Sequence, residues 1–179
     1  MKKLITIDAD GTLWYPRETK RNVAPHLIYS EFTELKDYLE HLELIEGVKE
    51  ALVELKKSGL KLSILSTNPK GPKQGLFEVR AKAEHFGILE FFDDILIAPD
   101  YVEGKGEVLM NYLGEQKIQK NEVLHVGDSF RYDYSSMDEI GVECWLIETP
   151  YTNYKDSEKR PRTAINGLED VPDKLDELD

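Results

Sequence analysis

The chain has 179 residues, 40% hydrophobic and 32% charged, which suits one globular domain and excludes a disordered chain. Lys and Arg number 23 against 35 Asp and Glu, a formal charge of −12, so binding to a nucleic-acid backbone is disfavoured. One cysteine, Cys144, excludes an intramolecular disulfide and reads as a small core residue within an apolar run. The apolar run after Lys3 is too short for a signal peptide, and no stretch approaches the ~20 apolar residues of a membrane helix. A cytoplasmic protein without membrane contact is expected.

In chain order, Leu4-Ile5-Thr6-Ile7 is a short β-rich run that stops at Asp8. Residues 14 to 44 then interrupt the rhythm. Trp14 to Arg21 reads as irregular. Leu27, Ile28, Phe32, Leu35, Leu39 and Leu42 follow a near-helical period, so one or two helices are expected there. From Glu46 to Gly59 a helix is predicted, with Val48, Ala51, Leu52 and Leu55 on its buried face. Strand-like and helix-like runs then alternate: strand Leu60–Leu65, helix Glu78–Phe86, strand Phe92–Ala98 and helix Lys105–Leu113. Strand Val123–Val126, helix Tyr134–Ile140 and strand Val142–Ile147 follow. Residues Tyr151 to Arg162 are polar and loop-like. Ala164 to Leu178 adds a last short strand and helix, with a solvated acidic end. Such alternation predicts an α/β fold: a Rossmann-like parallel sheet flanked by helices, with a small helical cap insertion after the first strand. The expected division is a core of residues 1–13 and 45–179 and an insertion of residues 14–44.

Chemistry-bearing residues recur at the ends of the strand candidates. Asp8 and Asp10 follow the first, Thr67-Asn68 the second, and Gly127-Asp128, with Asp133 five residues on, the fourth. Ligands of open α/β sheets bind beyond the carboxyl ends of the strands, so these positions are expected to meet. Clustered carboxylates repel unless one is protonated or a cation sits among them. Oxygen-only ligands at a phosphate-handling site suit Mg²⁺. A carboxylate can act as nucleophile, and a second, two residues on, can serve as acid and then base. The metal, Lys105, the Thr67 hydroxyl and backbone N–H groups near Ala9, Asp10 and Asn68 could supply the charge and donors that a phosphoryl group needs. Each element alone also has a structural reading, as a turn, a helix cap or a solvated lysine.

Ile5 to Leu13 is a hydrophobic strand followed by Asp-x-Asp-Gly-Thr-Leu, and Gly127 to Asp133 is Gly-Asp-x4-Asp. Together with Leu62–Asn68 and Lys105, these resemble the four motifs of the haloacid dehalogenase (HAD) superfamily over residues 3 to 148, the insertion excepted. The resemblance implies that Asp8 is the nucleophile and a Mg²⁺ ligand. It implies that Asp10 is the acid/base, with its backbone carbonyl on the metal. Thr67, or alternatively Ser66, would hold the phosphoryl group with Lys105. Asp128 would be a metal ligand, and Asp133 would orient a metal-bound water or Lys105. Haloacid dehalogenases lack the second Asp and need no Mg²⁺, so Asp10 directs the resemblance to the phosphatase branch. Lys105 departs from the Lys-Pro of many relatives, standing in Glu-Gly-Lys-Gly-Glu, which leaves Lys70 and Lys73 as alternatives.

The expected function is Mg²⁺-dependent hydrolysis of a small phosphorylated substrate through an aspartyl-phosphate. A macromolecular phosphoester and a non-catalytic Mg²⁺- or phosphate-binding role are the alternatives. The insertion is short for a full cap, so the site would be open or closed by a partner subunit, as in a homodimer. Trp14 stands evenly between the leaving-group pocket, as a substrate-binding residue, and the insertion's own core. Tyr29, Phe32 and Tyr38 read as that core, His26 and His41 as surface, and Arg17, Lys20 and Arg21 as a solvated basic run.

Overall fold

Strand β1 (Leu4–Ile7) has no polar/apolar alternation, and Leu4, Ile5, Thr6 and Ile7 are all fully buried. A strand buried on both faces belongs in the middle of a parallel sheet. In the computed structural model, which describes residues 1–25, 35–154 and 159–177, it lies there. The other members are β4 (Lys61–Thr67), β5 (Asp94–Ala98), β6 (Val123–Gly127), β7 (Glu143–Ile147) and β8 (Thr163–Ile165). The order is β5-β4-β1-β6-β7-β8, and every pairing is parallel. The chain runs outward from β1 in one direction through β4 and β5, then in the other through β6 to β8. The carboxyl end of β1 is therefore a switch point, where such sheets bind ligands.

Helices cover both faces. Helix α2 (Val48–Lys57) buries the predicted stripe of Val48, Ala51, Leu52 and Leu55. It packs with Val79 and Ala83 of α3 (Pro72–His85) against Ile5, Ile7, Leu62, Ile64, Leu124 and Val126. On the opposite face, α4 (Gly104–Gln116) brings Leu109, Tyr112 and Leu113 to Leu4, Leu65, Val123 and Leu146. Cys144 joins that core, and burial raises its thiol pKa well above the usual value, so it is a packing residue. No helix among the described residues is long and apolar enough to cross a membrane.

Several expectations about local structure are corrected. Trp14 to Arg21 is not wholly irregular: Trp14–Pro16 forms β2, which pairs antiparallel with β3 (Leu42–Leu44) in a two-stranded ribbon. Leu42 is thus a strand residue, and the described helices of this segment are a 3-10 turn at Lys20–Asn22 and α1 (Leu35–Glu40). Three residues are too few to show a period, so the ribbon had no signal of its own. His26, Leu27, Ile28, Tyr29 and Phe32 lie outside the described residues. Helix α3 also starts earlier than predicted, at Pro72, because proline suits the first helical position while the exposed Leu76 and Phe77 blur the apolar stripe. In place of a plain helix from Tyr134, a π-helical turn over Phe130–Ser135 precedes α5 (Ser136–Ile140). The last short strand, β8, and helix α6 (Val171–Asp176) occur as expected, although Val171 is buried rather than solvated.

Candidate active site

Asp8 continues β1 by one residue, its N–H donating to the Val126 carbonyl at 2.8 Å. The chain then turns tightly. Thr12 and Leu13 donate to the Ala9 carbonyl, and Gly11 donates to the Trp14 carbonyl at 2.7 Å. Gly11 has φ +91°, and a Cβ there would stand 2.1 Å from Asp128 Oδ2. Only glycine fits that turn.

Asp128 follows β6, and the π-helical turn after it carries Asp133 back under the strand end. Asp133 accepts the Ser129 N–H on Oδ2 at 2.8 Å. A Cβ on Gly127 would lie 2.3 Å from Asp133 Cγ, so the glycine before Asp128 makes room for that carboxylate. Asp8, Asp128 and Asp133 are buried, and each offers an oxygen within 4.8 Å of the others.

Lys105 projects from the first turn of α4 with 1% exposure, its Nζ 2.5 Å from both Asp8 Oδ1 and Asp133 Oδ1. The unusual flanking glycines have reasons. A Cβ on Gly104 would stand 2.5 Å from the Pro99 carbonyl, and the Gly106 N–H donates to Ser136 Oγ at 2.9 Å, which a proline could not do. The alternatives lie elsewhere: Lys70 pairs with Glu78 on the surface, and Lys73 is exposed.

Burial pushes the Asp8 carboxyl well above the usual range; Lys105 opposes this, and the Asp133 and Asp128 charges add to it. Asp128 is pushed up to about 7 by burial and by Asp133. Burial also disfavours the Lys105 ammonium, but Asp133 and Asp8 outweigh it and hold the lysine protonated above its usual range. Against the same burial, Lys105 and His125 hold Asp133 below the carboxylate range. One ammonium among three carboxylates leaves an excess of negative charge. The buried, oxygen-only set with two carboxyls driven toward protonation fits a hard divalent cation such as Mg²⁺.

The Asp10 side chain is not a member of this carboxylate trio. The Asp10 carboxylate instead takes the Trp14 indole N–H at 2.6 Å and Lys82 Nζ at 2.9 Å. Among the described residues Trp14 is fully buried and stacked on Phe86, and it touches the site through Asp10. Along β4, Thr67 lies on the sheet face of Thr6 and Asp8 and Ser66 on the other, as the register Ile7↔Ile64 and strand alternation require. The Asn68 donors are already engaged, its N–H with the Ala98 carbonyl at 3.1 Å and its amide with Glu78 at 2.9 Å. Ala9 is buried at the turn.

Three residues escaped the sequence reading. His125, inside β6, bridges Asp133 (3.0 Å) and the Thr6 hydroxyl (2.9 Å). Burial lowers its pKa, so the neutral ring donates from Nε2 to the carboxylate and accepts from Thr6 at Nδ1. A histidine in an otherwise apolar strand was the available signal. Lys82 occupies the buried stripe of α3 with Gly75, Val79 and Ala83, where a lysine is out of place. Tyr151 donates its hydroxyl to Asp128 Oδ2 from a loop that carried no motif.

Solved structures that share this fold are distant in sequence. A HAD phosphatase from Thermococcus onnurineus is 19% identical with TM-score 0.65, covering 98% of each chain. A 2-haloacid dehalogenase from Pseudomonas syringae pv. Tomato DC3000 is 16% identical with TM-score 0.66, covering 100% of each chain. A HAD-hydrolase from Bacillus subtilis, solved bound to magnesium, is 16% identical with TM-score 0.66, covering 97% of this chain and 98% of its own. At such identities the likeness concerns the fold. No curated protein matches the chain. The family model of haloacid dehalogenase-like hydrolases matches residues 1–147, ending within β7 and spanning every residue of the carboxylate cluster, and the chain belongs to that family.

Proposed function

We propose that the protein is a Mg²⁺-dependent phosphomonoesterase that acts on a small phosphorylated metabolite through an aspartyl-phosphate on Asp8. The observation that carries this reading is the grouping of Asp8, Lys105, Asp133 and Asp128 at the switch point, with a separate carboxylate, Asp10, two residues from Asp8. A dehalogenase has no use for that second carboxylate. In this reading an Asp8 oxygen attacks phosphorus and the bond to the leaving oxygen breaks. Asp10 gives that oxygen its proton. Asp10 then takes a proton from water, the water oxygen attacks phosphorus, the bond to Asp8 breaks, and inorganic phosphate leaves. Lys105 and the Thr67 hydroxyl hold the phosphoryl oxygens, and Asp133 fixes Lys105. Asp8 and Asp128 would hold Mg²⁺ with the Asp10 carbonyl, and Asp133 would stand behind them. The ion supplies positive charge that offsets the approach of an anionic ester to anionic side chains. Residues 14–44 act as a small cap over the leaving group, within a cytoplasmic enzyme.

Hydrolysis of p-nitrophenyl phosphate with and without Mg²⁺, for wild type and Asp8→Asn, tests the proposal. Turnover that needs Mg²⁺ and disappears in Asp8→Asn is expected, with a Mg²⁺-dependent phosphoenzyme trapped on wild type alone. Undiminished turnover in Asp8→Asn, or neither turnover nor trapping in wild type, refutes it.

A further inference from the structure

We propose that Lys82 is a positioning residue for Asp10, fixing its carboxylate through contacts with both oxygens. The inference rests on the phosphatase reading for the step it serves. Lys82 is 3% exposed and sits on the buried stripe of α3, where a dehydrated ammonium is unfavourable unless it is paired. Its Nζ lies 2.9 Å from Asp10 Oδ1, 3.2 Å from Oδ2 and 3.1 Å from the Tyr38 hydroxyl. It also stands 4.6 Å from the centre of the Tyr38 ring and 5.8 Å from that of Trp14. Trp14 Nε1 meets Oδ1 at 2.6 Å.

Oδ1 therefore receives the two shorter donor contacts. This grip holds the Asp10 side chain from several sides at once. Its parts come from β2, α3 and, through Tyr38, α1, so the 14–44 segment is tied to the acid/base by a buried charge.

Two aryl esters of nearly the same shape separate this role from a merely structural one. Nitrophenolate leaves without a proton, whereas phenolate has the basicity of a tyrosine, pKa about 10, and leaves better when protonated. For Lys82→Met, kcat/KM on phenyl phosphate is expected to fall about 10- to 100-fold while that on p-nitrophenyl phosphate stays within about threefold. Equal losses on the two esters, or no loss on either, overturn the proposal. A second readout needs no turnover: the Trp14 indole N–H resonance, with Trp145, bonded to Glu143, as internal reference. It is expected to shift in Lys82→Met, and an unmoved Trp14 resonance also overturns the grip. Should Lys82→Met not fold, Lys82→Gln carries both comparisons. A wild type that neither hydrolyses an ester nor traps a phosphoenzyme, or an Asp8→Asn variant that still turns over, sinks the phosphatase reading instead, and the indole resonance then judges Lys82 alone.

Discussion

Lys105→Met tests the electrostatic account of the site most directly. Methionine nearly matches the lysine stem in length, so little cavity opens and the loss is that of the charge. Lys105 is 1% exposed and its Nζ is 2.5 Å from Asp8 and from Asp133. Removing one partner of a buried pair costs about 3–5 kcal/mol, because the other charge stays buried and uncompensated. For 179 residues the unfolding entropy near 60 °C is about 0.38 kcal/mol/K, so the melting temperature should fall by roughly 8–13 °C at pH 8 without divalent ions. The loss should also depend on pH. In the wild type Asp133 is held below its usual range, so its contribution is complete above the unfolded value of about 3.9 and is lost as pH falls through the folded one. Lys105 is held above its usual range, so its contribution is complete below about pH 10.4 and is lost only as pH rises through its folded value. In the variant, burial acts on the carboxyls without a cation to oppose it, so acid relieves the strain by protonating them. The gap between the two proteins should be widest near pH 8 and shrink toward pH 5. Thermal unfolding followed by circular dichroism across that range measures it. A loss under about 3 °C, or a gap independent of pH, would refute the reasoning.

Two further outcomes follow from the same geometry. Gly127→Ala places a methyl 2.3 Å from Asp133 Cγ, so Asp133 must move; a loss of about 1–3 kcal/mol in urea unfolding is expected, with weaker Mg²⁺ binding by calorimetry. Asp128, held at about 7 without a cation, must release its proton to bind one. The rise in melting temperature on adding Mg²⁺ should therefore be small at pH 6 and larger at pH 8, and chelation should abolish it.

Much of the site was readable because its residues are local to strand ends. Asp8, Asp128 and Asp133 are one to six residues beyond short apolar runs that carry strong β signals, and a parallel sheet gathers such ends at one edge. The buried face of α2 was legible for a similar reason, since a period of 3.6 over ten residues fixes which side chains face the sheet. The ribbon of β2 and β3 was not, because two three-residue strands separated by 25 residues are defined by their pairing alone. His125, Lys82 and Tyr151 were missed because each acts across the fold. Lys82 and Asp10 are 72 residues apart, and Tyr151 and Asp128 are 23 apart.

Short-range pattern by itself determined the α/β class, the strand-end carboxylates and the glycines beside them, because these depend on neighbouring residues and backbone geometry. Only the tertiary structure decided which carboxylates share a cluster. The Asp10 carboxylate, two residues from Asp8, meets Lys82 and Trp14, while the distant Asp133 meets Lys105 and His125. Charges buried in a low dielectric must find their partners in space, and sequence spacing does not specify which they find.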